Sequence, residues 1–262
     1  MLLMFDIGNS NITIGAYEGD NLLFVSRLQT DPNRMTDQYF AEIREILKLH
    51  EVTLHADGAV ISSVVPQLTS TFADGIRKYH GVEPMVVGAG IKTGLDIKIE
   101  NPVQTGADLV AAAVGALTEF TPPLIVFDFG TATKATVVLP GNRFIGGMIA
   151  PGVQISLDAL SSRTAQLPHI DLKKPKKVIG DNTIDCMRSG VIYGTAAMVD
   201  GMIERMEEEL GQKCTVVVTG GLSETISGCC RHELHLRPNL ILQGLLAIYN
   251  INSSAKNSKN RI

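Results

Sequence analysis

The chain opens on an apolar run, Leu2 to Phe5, that stops at Asp6. After the loop Asp6-Ile7-Gly8-Asn9-Ser10-Asn11, apolar and small residues return from Ile12 to Tyr17, Glu18-Gly19-Asp20 makes a turn, and Leu22 to Leu28 is apolar again. Short runs bounded by turn residues predict a strand–loop–strand–turn–strand meander, not a strand–loop–helix unit. The period then lengthens. Tyr39, Phe40, Ile43, Ile46, Leu47 and Leu49 fall at helical spacing behind Thr36 and Asp37, which are suited to cap the helix. Gly58 to Ile61 reads as a buried strand, and Leu68, Phe72, Ile76 and Tyr79 line a second helix after Pro66. Pro84 to Val87 is a short strand, and residues 88–100 read as an irregular linker. An alanine-rich helix is expected from Asn101-Pro102 to about Phe120, ended by Thr121-Pro122-Pro123.

The second half repeats the first event. Leu124 to Phe127 is apolar and runs into Asp128-Phe129-Gly130-Thr131-Ala132-Thr133; Ala135 to Leu139 and Phe144 to Ile149 then flank the turn Pro140-Gly141-Asn142. Asp128 follows Asp6 by 122 residues, so the order of elements predicts two similar lobes, 1–120 and 121–250. Within the second, a helix is expected from Val153 to Leu160 and a long one from Asn182-Thr183 to about Leu210, broken near Gly190 or Gly194. A strand, Cys214 to Thr219, precedes Gly220-Gly221, and Leu240 to Tyr249 forms a closing helix. Residues 251–262 are polar and lysine-rich and read as a flexible tail.

Composition narrows the class. Of 262 residues, 45% are apolar and 19% charged, which is a folded globular balance rather than a disordered one. The net charge of -4 offers no general attraction to nucleic acid or to an anionic membrane. The N-terminal apolar run is too short, and lacks the basic flank, for a signal peptide. No run approaches the ~20 apolar residues of a membrane-spanning helix. Cys186, Cys214, Cys229 and Cys230 match no common zinc spacing and read as reduced thiols, so the expected location is the cytoplasm.

The chemistry lies in the two acidic glycine loops. Glycine after a buried strand lets backbone amides approach an anion. Asp6 and Asp128 would repel a bare phosphate, but carboxylates at strand ends suit divalent metal carried by nucleotide phosphates. Ser10, Thr13, Thr131 and Thr133 can donate hydroxyls to phosphate oxygens. The set points to phosphoryl transfer, without a P-loop and without a dinucleotide fingerprint. A lone Asp-x-Gly is more often only a turn; the recurrence gives the functional reading its weight. Asp108, in Gly106-Ala107-Asp108, is either a first-turn acid favoured by the helix dipole or a base for a substrate hydroxyl. Thr183 is suited to an N-cap and equally to a ligand contact. His169, His232 and His235 show no partner pattern.

Taken in order, these motifs resemble the type III pantothenate kinase family over Met1 to about Tyr249. The marks include Asp6-Ile7-Gly8-Asn9-Ser10, Ser62-Ser63-Val64-Val65-Pro66, Lys92-Thr93-Gly94-Leu95 and Gly106-Ala107-Asp108. They continue through Asp128-Phe129-Gly130-Thr131-Ala132-Thr133, Gly146-Gly147-Met148-Ile149-Ala150-Pro151-Gly152, Gly180-Asp181-Asn182-Thr183 and Thr219-Gly220-Gly221. The resemblance implies an α/β acetate and sugar kinase/Hsp70/actin-like fold with two ribonuclease-H-like lobes. It implies a homodimer that transfers the γ-phosphoryl group of ATP, carried with Mg2+, to pantothenate, opening coenzyme A synthesis. On that pattern Asp6, Ile7, Gly8, Asn9, Ser10, Asn11, Ile12 and Thr13 form the phosphate-binding loop and Thr131 touches ATP. Asp108 resembles the general base, with Gly106, Ala107, Leu109 and Thr183 on the pantothenate side. Asp128 resembles the ligand of a monovalent cation, K+ or NH4+.

Four positions depart from the family's pattern. Leu109 stands where arginine usually follows the catalytic aspartate, and leucine offers neither the charge nor the donor fork suited to an anionic acceptor end. Ile99 replaces a frequent tyrosine, Lys134 a usual threonine and Thr136 a common aspartate. These substitutions keep two alternatives open: a nucleotide-binding relative with weakened or absent catalysis, and a kinase for another hydroxyl-bearing acceptor.

Overall fold

The structure, a computed structural model, describes residues 1–259, with the backbone alone for 255–259. By contacts the chain forms two compact units. The first gathers Met1–Leu95, Glu100–Thr118 and the chain from Leu240 onward; the second holds Asp96–Ile99 and Glu119–Asn239. The division is thus not a single cut after residue 120, and the closing helix, expected with the second lobe, belongs to the first unit.

In the first unit, β1 (Leu2–Ile7), β2 (Asn11–Glu18) and β3 (Asn21–Gln29) form the expected antiparallel meander. β4 (Gly58–Ser63) and β5 (Met85–Val86) add in parallel on the other side of β1, giving the order β3-β2-β1-β4-β5. Alternation along β1 sends Leu3, Phe5 and Ile7 into a core closed by Phe40 and Ile43 of α1 (Thr36–Leu49) and Phe72 and Ile76 of α2 (Pro66–His80). Neither Thr36 nor Asp37 is the cap of α1: Met35 holds that position, and its N–H donates to Gln38 Oε1 at 2.8 Å. The other sheet face carries α3 (Ala107–Leu117) and α7 (Leu240–Lys259). The two helices approach closely because each presents glycine at the crossing. A Cβ on Gly115 would lie 2.2 Å from Leu240 O, and one on Gly244 would lie 1.8 Å from Ala111 O.

The second unit repeats the plan. β7 (Leu124–Phe129), β8 (Ala132–Leu139) and β9 (Arg143–Pro151) make the meander, and β10 (Thr215–Thr219) and β11 (His235–Leu236) run parallel to β7. With Asp96–Ile97 as β6, the sheet order is β11-β10-β7-β8-β9-β6, so its first five strands match those of the first unit position for position. Phe127, Phe129, Ala135 and Val137 face a core shared with α4 (Val153–Arg163) and α5 (Thr183–Leu210). A short helix, α6 (Ser223–Ser227), follows β10.

Four local expectations change. The supposed linker contains β6 (Asp96–Ile97), which pairs with β9 through Arg143 and Phe144. The helix from Asn101 is a 3-10 turn, Pro102–Gln104, separated from α3 by Thr105 and Gly106. α5 is unbroken and runs through Gly190 and Gly194 from Thr183 to Leu210 without a change of element. The stretch expected as a tail from 251 continues α7 to Lys259, and its last three residues lie outside the described residues. Among the described residues no helix is long and apolar enough to cross a membrane.

Candidate active site

The first acidic loop sits at the carboxyl end of β1. Asp6 lies opposite Thr13 on β2 and Ser62 on β4, on the sheet face away from Leu3, Phe5 and Ile7. Ser62 Oγ donates to Asp6 Oδ1 at 2.9 Å, and Ser62 is fully buried. The loop closes through Gly8 N–H to Asn11 O at 3.0 Å, and Thr30 Oγ1 donates to Gly8 O at 2.7 Å. A Cβ on Gly8 would stand 3.1 Å from Asn11 O, so the tight return favours glycine. The side chains of Asn9, Ser10 and Asn11 are exposed and Thr13 is half-buried. Ile7 and Ile12 differ from the rest of the expected loop. Both side chains are fully buried in the core, so only their backbone can meet a nucleotide.

Asp108 occupies the first turn of α3. Its Oδ1 accepts the N–H of Leu109 at 2.8 Å, and a Cβ on Gly106 would lie 2.5 Å from that oxygen. The same Cβ would contact Val64, whose N–H donates to Ile7 O at 3.0 Å. α3 therefore starts beside the ends of β1 and β4, which places the proposed base and the Asp6 loop at one end of one sheet. Leu109 and Ala107 are half-buried beside it.

The second acidic loop is one residue shorter, Gly130 and Thr131 alone separating β7 from β8. Gly130 N–H donates to Ala132 O at 3.2 Å. Thr131 is exposed, and its carbonyl would be 2.2 Å from a Cβ on Gly152, so the loop rests against the glycine that precedes α4. Asp128 lies directly opposite Lys134 on β8 and Thr219 on β10. Lys134 Nζ is 2.7 Å from Asp128 Oδ2, with the two side chains only 15% and 10% exposed. Gly220, at φ +98°, would bring a Cβ within 2.7 Å of Asp128 Oδ1. Thr133 Oγ1 is buried without a hydrogen-bond partner.

Thr183 is exposed at the start of α5, but the N-cap is Asn182, whose Oδ1 accepts the Asp185 N–H at 3.0 Å. Ile99 is half-buried, its Cγ2 3.9 Å from where a Gly146 Cβ would stand. His232, for which the sequence offered no partner, pairs through Nδ1 with Asp200 Oδ1 at 3.0 Å. Burial alone would raise the Asp200 pKa; hydrogen bonds from His232 and from the backbone of Arg231 and His232 outweigh it and hold the carboxyl below its ordinary value. This pair ties α5 to the segment after α6. All four cysteines are free, and burial pushes the Cys230 thiol up to about 12, which suits packing rather than nucleophilic chemistry. Among the described residues no group of three or more His, Cys, Asp or Glu side chains is gathered to hold a metal ion.

Ser62 and Gly220 carry no local mark of their role in the sequence. Their contacts to Asp6 and Asp128 depend on the parallel registers β1–β4 and β7–β10, which join residues 56 and 91 positions apart.

A repeated five-strand order, with an acidic glycine loop at the same strand end in each unit, defines an acetate and sugar kinase/actin-like protein. A ROK family glucokinase from Streptomyces griseus, in complex with glucose and AMPPNP, shares this fold with a TM-score of 0.51 at 13% identity, over 95% of this chain and 98% of that one. The profile of type III pantothenate kinases matches residues 2–205. The type III pantothenate kinase of Exiguobacterium sp. is 43% identical over 96% of this chain and 99% of its own length. That of Roseiflexus castenholzii is 44% identical over the same shares. The chain belongs to the type III pantothenate kinase family.

Proposed function

We propose that this chain phosphorylates pantothenate with ATP, giving 4'-phosphopantothenate for coenzyme A synthesis. The observation that carries the reading is the joint placement of Asp108 and the Asp6 loop at one end of the first sheet, in a member of this kinase family. The backbone amides and exposed side chains of Gly8 to Asn11, with Thr13, supply donors for phosphate oxygens. Thr131, exposed beside Gly152, is suited to a further ATP contact. Asp108 takes the proton of the acceptor hydroxyl as its oxygen attacks the γ-phosphorus and the bond to the β-phosphate oxygen breaks, releasing ADP. The hydrogen bond from Leu109 N–H orients the Asp108 carboxylate.

Magnesium, which favours one or two carboxylates together with substrate phosphates, neutralises phosphate charge when it accompanies ATP. Gly106, Ala107, Leu109 and Thr183 contribute to the acceptor side, where Leu109 presents an apolar wall rather than a charge. The active form is a homodimer; exposed Ile149, Ile155, Leu160, Val178, Ile179 and Ile184, close in sequence around α4 and the start of α5, supply apolar surface for it.

The test is ADP release with ATP, Mg2+, K+ and pantothenate, with the phosphorylated product identified by mass. Pantothenate-dependent ADP release is the expected result. No product at high enzyme concentration, or turnover only with another alcohol, overturns the reading. Light scattering reads the dimer.

A further inference from the structure

Lys134 is the side chain that the reading above leaves without a task. β7 and β8 pair antiparallel, and the register sets Lys134 directly across from Asp128. Directly opposed residues on such strands bring their Cβ atoms to about 5 Å, so the long lysine stem folds back onto the carboxylate. The contact, Nζ to Oδ2 at 2.7 Å, is largely sheltered from water. At the matching position in the first unit, Asp6 faces neutral Thr13. The lysine is therefore particular to the second unit and is not part of the repeated plan.

One oxygen of Asp128 is taken, and the other is approached closely by the Gly220 backbone. Oδ2 holds the Lys134 ammonium, and Oδ1 stands where a Gly220 Cβ would be 2.7 Å away, against the turn that leaves β10. A diffusible K+ or NH4+ at this carboxylate would have to displace the ammonium or lie a few Å from a like charge in a poorly hydrated place. The residues present do not fit a free monovalent cation there. A primary ammonium carries the same single positive charge as potassium and the same N–H donors as an ammonium ion, less one. It is also present at high effective concentration because its strand is fixed.

We infer that Lys134 is a tethered replacement for the monovalent cation: its ammonium neutralises Asp128, and this enzyme turns over without potassium or ammonium. The inference rests on the kinase reading above and specifies the ion requirement of that site.

The test compares wild type with Lys134→Thr and Lys134→Met at constant ionic strength, in tetramethylammonium chloride alone and with potassium or ammonium chloride added. Pantothenate-dependent ADP release is measured together with calorimetric binding of a non-hydrolysable ATP analogue. Wild type is expected to change by less than about twofold on adding either ion, a coupling near zero. The two variants, checked for native circular dichroism, are expected to lose about tenfold or more in tetramethylammonium and to recover with potassium or ammonium, a coupling within the usual range for linked sites. Wild type activated about tenfold by potassium overturns the inference, as do folded variants that neither ion restores. If the variants fail to fold, the potassium response of wild type decides alone. If no acceptor is turned over under any condition, the kinase reading fails instead. Analogue binding then decides the cation question, with tightening by potassium in wild type as the refuting result.

Discussion

Ser62 Oγ donates a 2.9 Å hydrogen bond to Asp6 Oδ1 across the parallel β4–β1 pair. The serine is fully buried, so the bond fixes one carboxylate oxygen and with it the direction in which the loop presents its donors. Hydrogen bonds to charged groups contribute roughly 1.5–3 kcal/mol. Ser62→Ala is expected to weaken binding of a non-hydrolysable ATP analogue by about tenfold or more, read by calorimetry, with circular dichroism unchanged. Unchanged affinity would remove the Asp6 loop from the nucleotide site.

Asp108 can act as a base or serve only as a first-turn acid favoured by the dipole of α3, and one substitution separates the two. Asp108→Asn keeps the shape and the acceptor for Leu109 N–H but cannot take a proton. A base role predicts a fall in kcat of about 10²–10⁴ with analogue binding retained. A first-turn role predicts a loss of helix stability of about 0.3–1 kcal/mol and a near-normal rate. Steady-state kinetics beside thermal melting distinguish the outcomes.

The α3–α7 crossing depends on backbone meeting backbone. Gly244→Ala would place a methyl carbon 1.8 Å from the Ala111 carbonyl oxygen, which no side-chain rotation can relieve. We expect a loss of about 3 kcal/mol or more in urea unfolding, at the upper end for overpacking. Because α3 carries Asp108, activity should fall below the melting transition as well.

His80 is 7% exposed and its Nδ1 has no hydrogen-bond partner. Burial, with a smaller effect from His55, depresses its pKa below the ordinary value of about 6.5. The unfolded chain thus binds this proton more readily than the folded one. The stabilising contribution is present above the unfolded pKa and declines as pH falls from about 6.5 toward the folded value. Thermal melts between neutral pH and mildly acidic pH should show a shallower decline in His80→Leu than in wild type; parallel curves would show that other groups set the slope.

Much of the plan was legible along the chain. The apolar runs Leu2 to Phe5 and Leu124 to Phe127, each ending in Asp-x-Gly, predicted two related lobes. The sheets carry that repeat in the same order over five strands. Boundaries failed where local signals were weak. Asp96–Ile97 has too few residues to show a period, and becomes a strand only because β9 offers it a free edge. The lysine-rich run after Tyr249 reads as a tail because its polarity hides continued helical geometry.

The sequence by itself determined the family, the repeat and the identities of the acidic loops, because these rest on residue order and short-range periodicity. What only the tertiary structure decided is what each aspartate meets. Asp6 receives Ser62 and faces Thr13, whereas Asp128 receives Lys134, since strand register selects the neighbour and no local rule specifies register between distant strands. The lysine was visible in the sequence as a departure; its charge became a ligand for Asp128 only when the antiparallel pairing of β7 and β8 set the two side chains face to face.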